Sequence, residues 1–295
     1  MKEKSIIESK ENKPVTGLKN LVNVSIVRYK QPFQEIAALV SIIRQSTVVG
    51  SIYIVDNSPE KEEHFYELDA QYIFNNANWG YGKAHNIAIK KSICCNAKYH
   101  LVVNSDIQFA PIILEEIVTF LDNEQTVGAL MPKIYYPNGK IQHLCKLLPT
   151  PSDLLFRRFL PVSWTKKQAN RFELIGSGYN KIMNIPYLSG CFMMLRVEAL
   201  KKVGLFDEQF FLYPEDIDLS RRIHEEYETV FFPMVNIIHS HEQGSYKNLR
   251  LFLIHIINLI RYFNKWGWIF DKKRKSINKA TLDQISKLLN NNTKL

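Results

Sequence analysis

The sequence has few cysteines, and their spacing does not form a zinc-binding pattern. Only four occur among the 295 residues, at Cys94, Cys95, Cys145 and Cys191, and no two of them form a CxxC motif. A zinc ribbon requires such closely spaced pairs. The pattern is therefore typical of a protein whose thiols remain reduced.

Long hydrophobic runs are also lacking. A membrane-spanning helix needs about 18 consecutive apolar residues, and the nearest candidate, residues 251–260, is too short. The first twenty residues mix lysine with glutamate and contain no apolar core of the kind that a signal peptide requires. We therefore expect the protein to stay in the cytoplasm, where it could also lie peripherally on the inner face of the cytoplasmic membrane.

The composition does provide a large core and a positive charge. Hydrophobic residues make up 46% of the chain, enough for one large α/β domain or two small ones, and exclude disorder for most of it. The formal net charge of +9 favours anionic partners such as nucleotide diphosphates, phospholipid headgroups or nucleic acid. Charge alone does not choose among these partners, although no motif that reads nucleic acid is found.

Short runs rich in valine and isoleucine alternate with segments of helical periodicity, which predicts βαβ units and a parallel sheet. The predicted strands are residues 21–27, 51–56, 71–74 and 100–104, and the predicted helices are 32–45, 82–94 and 111–122. Several prolines interrupt residues 128–185, so loops and short helices are expected there. The last twenty residues predict a short helix that frays into a polar tail.

Polar residues follow each predicted strand. In an open parallel sheet, ligands bind beyond the carboxyl ends of the strands, so these positions are the candidates for a site. The residues concerned are Arg28 and Tyr29, Asp56 and Asn57, residues 75–82, and residues 104–106. A random surface loop would also be polar, but four such positions on one edge of a sheet favour a binding site.

A glycine-containing turn precedes the second predicted helix. It comprises Asn78, Gly80, Gly82 and Lys83, and the amino end of the following helix favours a phosphate group. The turn lacks the third glycine of a dinucleotide fingerprint and the serine or threonine of a Walker A loop. An ordinary strand-to-helix turn is the alternative.

Two further segments carry acids. Asp106 follows a strongly apolar run, where a carboxylate is costly unless a cation or hydrogen-bond donors meet it, so it is a candidate ligand for Mg²⁺ or Mn²⁺. The alternative is a turn or a helix cap.

Pro214 is predicted as the first helical residue, which puts Glu215 and Asp216 in the first turn. One of these carboxylates could act as a general base, and a purely structural acidic turn is the alternative.

Two histidines follow a late strand-like run. His239 and His241 are two residues apart and would point the same way from a strand, which could place both on a metal. The alternative is a structural histidine, and the sequence does not decide which of the two would be the ligand.

Six segments together resemble, in order, the family 2 inverting glycosyltransferases of the rhamnosyltransferase-like branch of bacterial polysaccharide biosynthesis. They read VSIVRY, YIVDNS, NNANWGYGKAHNIAI, LVVNSD, YLSGCFMMLRVEALKKVGLFDEQFFLYPEDIDLSRRI and VNIIHSHEQGSY. The resemblance spans about residues 21–270. It implies the GT-A fold, a Rossmann-like, mixed and mostly parallel sheet flanked by helices.

The resemblance also implies an organisation of the chain. Residues 1–20 would be a polar extension, and residues 21–245 a GT-A domain with a nucleotide-binding half at 21–127 and an acceptor half at 128–245. Residues 246–295 would be a basic, aromatic, helical extension. In the 247–275 region, aliphatic, aromatic and basic residues alternate as in a helix that lies in a membrane interface. A core helix with a solvated basic end is the alternative.

Site roles follow from the same resemblance. Asp56 would read the pyrimidine base of the donor with Arg28 or Tyr29 beside it, and Asp106 and His239 would hold the divalent cation. Asp216 would be the catalytic base. The remaining donor-binding positions are Asn57, Asn78, Gly80, Gly82, Lys83 and Asn104. Asn104 replaces the first acid of the family's DxD motif, and its amide can coordinate but brings no charge, so the metal requirement is left open.

The implied function is transfer of a sugar from a dTDP- or UDP-linked donor to a saccharide acceptor that is expected to be lipid-linked, on an anionic membrane surface. A sugar nucleotidyltransferase is a first alternative, but residues 28–32 lack the glycine-rich loop that this class needs. A non-catalytic nucleotide-sugar-binding or scaffold protein is a second, prompted by Asn104. The oligomeric state is not predicted.

Overall fold

The computed structural model describes residues 20–154, 162–240 and 249–290. The predicted extension at residues 1–20 lies outside these ranges except for its last residue. The start of the 246–295 extension and His241 lie outside them as well.

The strands and helices alternate over most of the chain. The strands are β1 Val22–Arg28, β2 Val49–Asp56, β3 Gln71–Phe74, β4 Tyr99–Val103, β5 Ile107–Gln108, β6 Val127–Tyr135, β7 Cys145–Lys146, β8 Met183–Asn184, β9 Tyr187–Leu188, β10 Phe192–Arg196 and β11 Glu228–His239. The helices are α1 Phe33–Arg44, α2 Tyr81–Cys94, α3 Ile113–Asn123, α4 Pro151–Leu154, α5 Val162–Phe172, α6 Val197–Val203, α7 Glu215–His224, α8 Leu249–Trp266 and α9 Lys272–Asn290.

A nine-stranded mixed sheet forms the centre of the molecule, with the order β3-β2-β1-β4-β10-β6-β11-β5 and β8 paired to β11. Strands β1 to β4, β6 and β11 run in one direction, whereas β5, β8 and β10 run against them. Strands β7 and β9 make a separate two-stranded sheet. The predicted mostly parallel, mixed sheet is confirmed.

Helices cover both faces of the sheet because successive side chains of a strand point to opposite faces. In β2, Tyr53 and Val55 pack with Ala84 and Ala88 of α2. Ile52 and Ile54 belong instead to the main hydrophobic core, as do the buried residues of α1. The face of β1 that carries Val22, Val24 and Ile26 is apolar. Its opposite face carries Ser25, whose hydroxyl is hydrogen-bonded to the buried side chains of His85 and His100.

Strand β6 is the main difference from the sequence-based expectation, which placed loops and short helices from residue 128 onward. Pro132 lies inside this strand and is paired with Phe232 of β11. Proline has no N–H to donate to the ladder, so it is tolerated in a sheet mainly at edges or bulges. The register with β11 shifts just here, since Lys133 pairs with Asn236. The resulting bulge allows the strand to continue past the proline.

The C-terminal helices pack onto α7. Arg221 makes two hydrogen bonds to the carboxylate of Asp271, of 2.6 and 3.0 Å, and its guanidinium lies 3.9 Å from the ring centroid of Trp266. The predicted helical extension is therefore present, and α9 is longer than the short terminal helix that the sequence indicated. None of the helices in the described ranges combines the length and apolar content needed to cross a bilayer.

Candidate active site

The first part of the site is a buried ion pair at the ends of β1 and β2. Arg28 Nη1 lies 2.7 Å from Oδ2 of Asp56, and the Tyr72 hydroxyl donates to the same oxygen at 2.7 Å. The backbone N–H of Ser58 donates to Asp56 Oδ1 at 2.8 Å. Asp56 is fully buried. These contacts provide the donors and the cation that a buried carboxylate needs, and a base-reading role for Asp56 remains a prediction.

Arg28 also contacts the segment between β2 and β3. Its Nη2 contacts the carboxylate of Glu62, and its guanidinium lies 4.5 Å from the ring centroid of Phe65. Tyr29, predicted for the same pocket, is 46% exposed, and its ring lies 5.6 Å from Nζ of Lys30. The structure thus brings Arg28 and Asp56 together and leaves Tyr29 at the surface beside them.

The glycine turn before α2 is held by backbone contacts. Asn57 donates to Gly80 O at 3.0 Å, and Gly80 N donates to Asn78 Oδ1 at 3.0 Å. Gly80 has φ of 82°, and a Cβ placed there would lie 2.1 Å from Phe211 O. That carbonyl accepts the N–H of Tyr81 at 2.9 Å. Only glycine fits this crossing of two backbones.

We expect Gly80→Ala to unfold the turn, with a loss of unfolding free energy of about 3 kcal/mol or more, because a methyl group would overlap the Phe211 carbonyl. Gly139→Ala is the matched control, since Gly139 has φ of 79° but no atom within 4 Å of the added Cβ. It should lose only about 1 kcal/mol from the strained φ. Equal losses for both variants in urea denaturation would contradict the steric explanation.

Gly82 and Lys83 lie in the first turn of α2. A Cβ at Gly82 would lie 2.8 Å from Cβ of Phe206 and 3.3 Å from Cγ of Glu215, so the absence of a side chain lets α2 pack against both residues. Lys83 Nζ lies 3.7 Å from a carboxylate oxygen of Glu208 and 4.7 Å from the ring centroid of Trp79. If Lys83 binds a diphosphate as predicted, that contact would replace its weak, partly exposed ion pair with Glu208.

Tyr81 is a central residue that the sequence reasoning missed. Its hydroxyl lies 2.9 Å from Oδ1 of Asn104 and 2.7 Å from the carbonyl oxygen of Gly190. Burial raises the pKa of Tyr81 well above its usual value, with further contributions from Cys191 and the nearby carboxylates. The hydroxyl therefore keeps its proton and shares it between two acceptors. Its position between the two glycines of the turn was the available signal.

The acidic first turn of α7 places Asp216 beside Gly190, the residue that also contacts Tyr81. Gly190 N–H donates to Asp216 Oδ2 at 3.1 Å, and Ile217 N–H donates to Oδ1 at 2.8 Å. Pro214 precedes the helix, so the prediction that it is the first helical residue is off by one, and Glu215 begins α7. Asp216 thereby reaches the loop before β10.

The two adjacent carboxyl groups have different surroundings. Burial raises the pKa of Glu215, with the Asp216 charge adding to the effect, to about 8. Burial also raises the pKa of Asp216, but the two backbone N–H donors oppose this by stabilising its anion. Glu215 Oε2 has no hydrogen-bond partner among the described residues. The pKa of both carboxyl groups is raised, and the two N–H donors on Asp216 favour the proton on Glu215 and the negative charge on Asp216.

Asp106, two residues after Asn104, contacts His239 at the end of β11. His239 Nε2 lies 3.3 Å from Asp106 Oδ1. Gln142 donates its amide to His239 O at 2.7 Å, which fixes its Oε1 as the acceptor, 2.9 Å from His239 Nδ1. The proton on Nδ1 is thus assigned to that bond, and Nε2 faces Asp106. Burial lowers the pKa of His239, but Asp106 and Cys191 outweigh it and raise the pKa to about 10.

These residues fit a divalent cation that is shared with a substrate. Asp106 Oδ1 and His239 Nε2 lie 3.3 Å apart, and a cation between them would take the place of the proton that the raised pKa puts on Nε2. Gln142 contacts the other imidazole nitrogen, as outer partners of metal ligands do. No group of three or more histidine, cysteine, aspartate or glutamate residues suited to a metal occurs in the described ranges. A cation here would take its other ligands from phosphate oxygens or water, as Mg²⁺ commonly does.

Sequence comparison matches the chain to known glycosyltransferases. The sequence model of glycosyl transferase family 2 matches residues 36–204, more than half of the chain. An N-acetylglucosaminyl-diphospho-decaprenol L-rhamnosyltransferase of Mycobacterium tuberculosis is 26% identical over 203 residues, 64% of this chain and 65% of that protein. The low-salt glycan biosynthesis hexosyltransferase Agl10 of Haloferax volcanii is 27% identical over 210 residues, 70% of this chain and 62% of that protein. The matches thus span just under two thirds of these relatives.

Solved structures share the fold at low sequence identity. GalNAc-T7 with UDP, GalNAc and Mn²⁺ has a TM-score of 0.60 at 15% identity, over 83% of this chain and 48% of that chain. The mannosyltransferase PcManGT from Pyrobaculum calidifontis, in complex with GDP-Man and Mn²⁺, has a TM-score of 0.52 at 14% identity, over 93% of this chain and 80% of that chain. The expected GT-A fold is confirmed, and the chain belongs to glycosyl transferase family 2.

Proposed function

We propose that this chain is an inverting glycosyltransferase that moves a sugar from a dTDP- or UDP-linked donor to a lipid-linked saccharide in the synthesis of a cell-surface polysaccharide. The mycobacterial relative is named for a diphospho-decaprenol acceptor, and the haloarchaeal relative for glycan biosynthesis. The first name supports a lipid-linked acceptor, and the second supports a glycan pathway. The donor nucleotide and sugar follow from the family resemblance alone.

One observation supports this proposal most directly. The Tyr81 hydroxyl contacts Asn104 at the end of β4 and Gly190 in the loop that holds Asp216. Asp106 follows Asn104 by two residues and lies 3.3 Å from His239. The proximity of Asp216, Asn104 and the glycine turn supports a direct displacement at an anomeric carbon, with Asp216 as the proposed base.

Asp216 would accept the proton of the acceptor hydroxyl. The carboxylate must be ionised to do so, and the N–H groups of Gly190 and Ile217 favour its anion. Neutral Glu215 beside it adds no competing negative charge. The acceptor oxygen would then attack the anomeric carbon from the Asp216 side, while the bond to the diphosphate breaks on the opposite face and the configuration inverts.

The leaving diphosphate would be stabilised on the side of Asn104. Asp106 and His239 would hold Mg²⁺ or Mn²⁺ there, and a bound cation of this kind neutralises charge on the departing phosphates. Lys83 and the amino end of α2 would contact the same phosphates, and Asn57 and Asn78 keep the turn in place. Arg28 and Asp56 would line the part of the site that contacts the pyrimidine of the donor.

The Tyr81 hydroxyl should matter for catalysis more than for folding. We expect Tyr81→Phe to lower kcat about tenfold, because Asn104 and the Gly190 loop lose their common hydrogen-bond donor. Stability should fall by about 1 kcal/mol. Tyr99→Phe is the control: it removes another hydroxyl, bonded to Asp122 at 2.6 Å and outside the site, and should lose similar stability without changing kcat. An equal loss of kcat in both variants would argue against a positioning role.

Nucleotide-sugar binding is the first experiment. In a thermal-shift screen with Mg²⁺ or Mn²⁺, a matching donor should raise the Tm by mass action, and a panel of UDP- and dTDP-sugars identifies it. Transfer to a lipid-linked saccharide is then followed by NMR, which reports the anomeric configuration of the product. If no nucleotide sugar shifts the Tm, or the configuration is retained, the proposal is wrong.

A further inference from the structure

The outer face of α8 exposes a row of aliphatic side chains. Leu249, Leu253, Ile257 and Ile260 follow one another at spacings of three or four residues and therefore share one side of the helix. Each is exposed, from 41% at Ile260 to 73% at Leu249. We call these four residues the aliphatic stripe. In a water-soluble fold, a contiguous apolar row of this kind marks a contact surface.

A second exposed apolar group follows at the end of the same face. Asn264 is four residues after Ile260, and its side-chain oxygen accepts the indole N–H of Trp268 at 2.8 Å. Next to this tryptophan, Ile269 is 68% exposed and Phe270 is 89% exposed. Residues 268–270, the apolar tip, thus extend the aliphatic stripe into the turn between α8 and α9.

Cations come immediately after the apolar tip. Lys272, Lys275 and Lys279 are exposed and lie within about 60° of one another around α9, which turns by about 100° per residue. Lys273 points elsewhere and pairs with Glu225 at 2.9 Å. No carboxylate of the described residues lies within ion-pair distance of the other three lysines. Their charge is therefore available to an anionic surface.

The inner face of α8 contacts the loop that leads into the catalytic helix. Asn258 donates to Leu212 O at 3.0 Å, and Arg261 donates to Gln209 O at 2.7 Å. Tyr262 and Phe263 pack in one buried cluster with Ile217 of α7. Whatever binds the outer face of α8 therefore lies one helix away from Asp216.

We propose that the aliphatic stripe, the apolar tip and the three lysines form a docking surface for an anionic phospholipid bilayer. Apolar side chains that enter the interface and lysines at headgroup depth are the two attractions that hold an interfacial helix. A second copy of the chain is the weaker candidate, because each copy has a net charge of +9 and the lysines beside the apolar tip of the two copies would repel one another.

Vesicle flotation tests this proposal with the full chain and without any measurement of sugar transfer. The wild-type protein should float with vesicles that contain about 30% phosphatidylglycerol in phosphatidylcholine, and not with pure phosphatidylcholine. Raising the salt to about 0.5 M should weaken binding several-fold, since the lysine attraction is screened. Failure to bind the anionic vesicles at low salt would overturn the proposal.

Two variants with matched controls locate the surface. Ile269→Ser/Phe270→Ser should reduce the bound fraction at least about tenfold, whereas Ile112→Ser/Met234→Ser removes two apolar side chains that are 58% and 59% exposed elsewhere and should bind like wild type. The bound fraction should fall several-fold in Lys272→Gln/Lys275→Gln/Lys279→Gln. It should not fall in the control Lys91→Gln/Lys166→Gln/Lys167→Gln, which has the same change in charge. Variants and controls that bind alike would overturn the assignment.

Analytical ultracentrifugation distinguishes the lipid surface from self-association. The wild type and Ile269→Ser/Phe270→Ser should sediment with the same mass at the concentrations used for flotation. A dimer that dissociates in this variant would instead assign the surface to a second copy of the chain and would overturn the lipid proposal. The substituted side chains are exposed, so unchanged melting curves should accompany every result.

Discussion

Asp216→Asn should reduce the rate of sugar transfer by about 10²- to 10⁴-fold, the range expected for removal of a general base. The substitution keeps the size of the side chain, and its amide oxygen can still accept the N–H of Gly190 or Ile217. The fold and the donor pocket should therefore persist. The measurement is kcat with saturating donor, together with donor affinity by titration calorimetry, which should remain close to wild type. Near-normal turnover would remove Asp216 as the base.

Glu215→Gln is the matched control for that result. The pKa of Glu215 is raised to about 8 by burial and by Asp216, so at neutral pH this side chain is already uncharged, and a neutral amide replaces it closely. The variant should keep most of its transfer activity at pH 7. If Glu215→Gln were inactive and Asp216→Asn active, the two carboxyl groups would have the opposite roles.

The same pair has a consequence for stability. A carboxyl group whose folded pKa lies above its unfolded value stabilises the fold fully at low pH, and this contribution is lost as the pH rises through the folded pKa. For Glu215 the window runs from its ordinary 4.5 to about 8, and the effect is at most about 5 kcal/mol. Wild-type unfolding free energy should fall across this window relative to Glu215→Gln.

The second large effect is expected at the candidate cation site. Asp106→Ala should weaken donor binding in Mn²⁺ and lower kcat/KM by about 10²- to 10³-fold, because it removes the charged partner of His239 at this point. Calorimetry with the nucleoside diphosphate of the identified donor, in Mn²⁺ and in chelator, measures this effect. The wild type should bind more tightly with Mn²⁺, and the variant should bind equally in both.

Asn104→Ala separates charge from position in that experiment. It removes a neutral side chain that contacts Tyr81 at 2.9 Å and leaves Asp106 and His239 unchanged. The Asn104→Ala variant should still bind the nucleoside diphosphate more tightly with Mn²⁺ than in chelator, and its loss of affinity should be smaller than that of Asp106→Ala. If wild-type affinity were the same with and without the metal, the assignment of Asp106 and His239 to a cation would be wrong.

The early strands and helices were predictable because their signals are local. The runs that end at Arg28 and Asp56 are rich in valine and isoleucine, and their structural bounds lie within two residues of the prediction. The polar edge follows from the same pattern, because parallel strands end together. The family resemblance then selected Asp56, Asp106 and Asp216 from distant parts of the chain.

Other features depend on pairings that a local pattern does not encode. Pro132 indicated a break, but a bulge in the partner strand lets β6 continue through it. Gly190 and Gln142 carry no chemical signal of their own, and they matter because the fold brings them to Asp216 and His239. The C-terminal helix was ambiguous between a core helix and an interface helix, and α8 has both a buried and an exposed apolar face.

The reversed direction of one strand determines where the two parts of the chain meet. Strand β10 runs against β4, so its first residue, Phe192, pairs with Val103, the last residue of β4. Gly190 consequently arrives beside Asn104. Had β10 run with its neighbours, the five-residue strand would have begun about 15 Å away, at the opposite edge. Because β10 is antiparallel to β4, the short loop before it contacts both Tyr81, beside the end of β4, and Asp216 of α7.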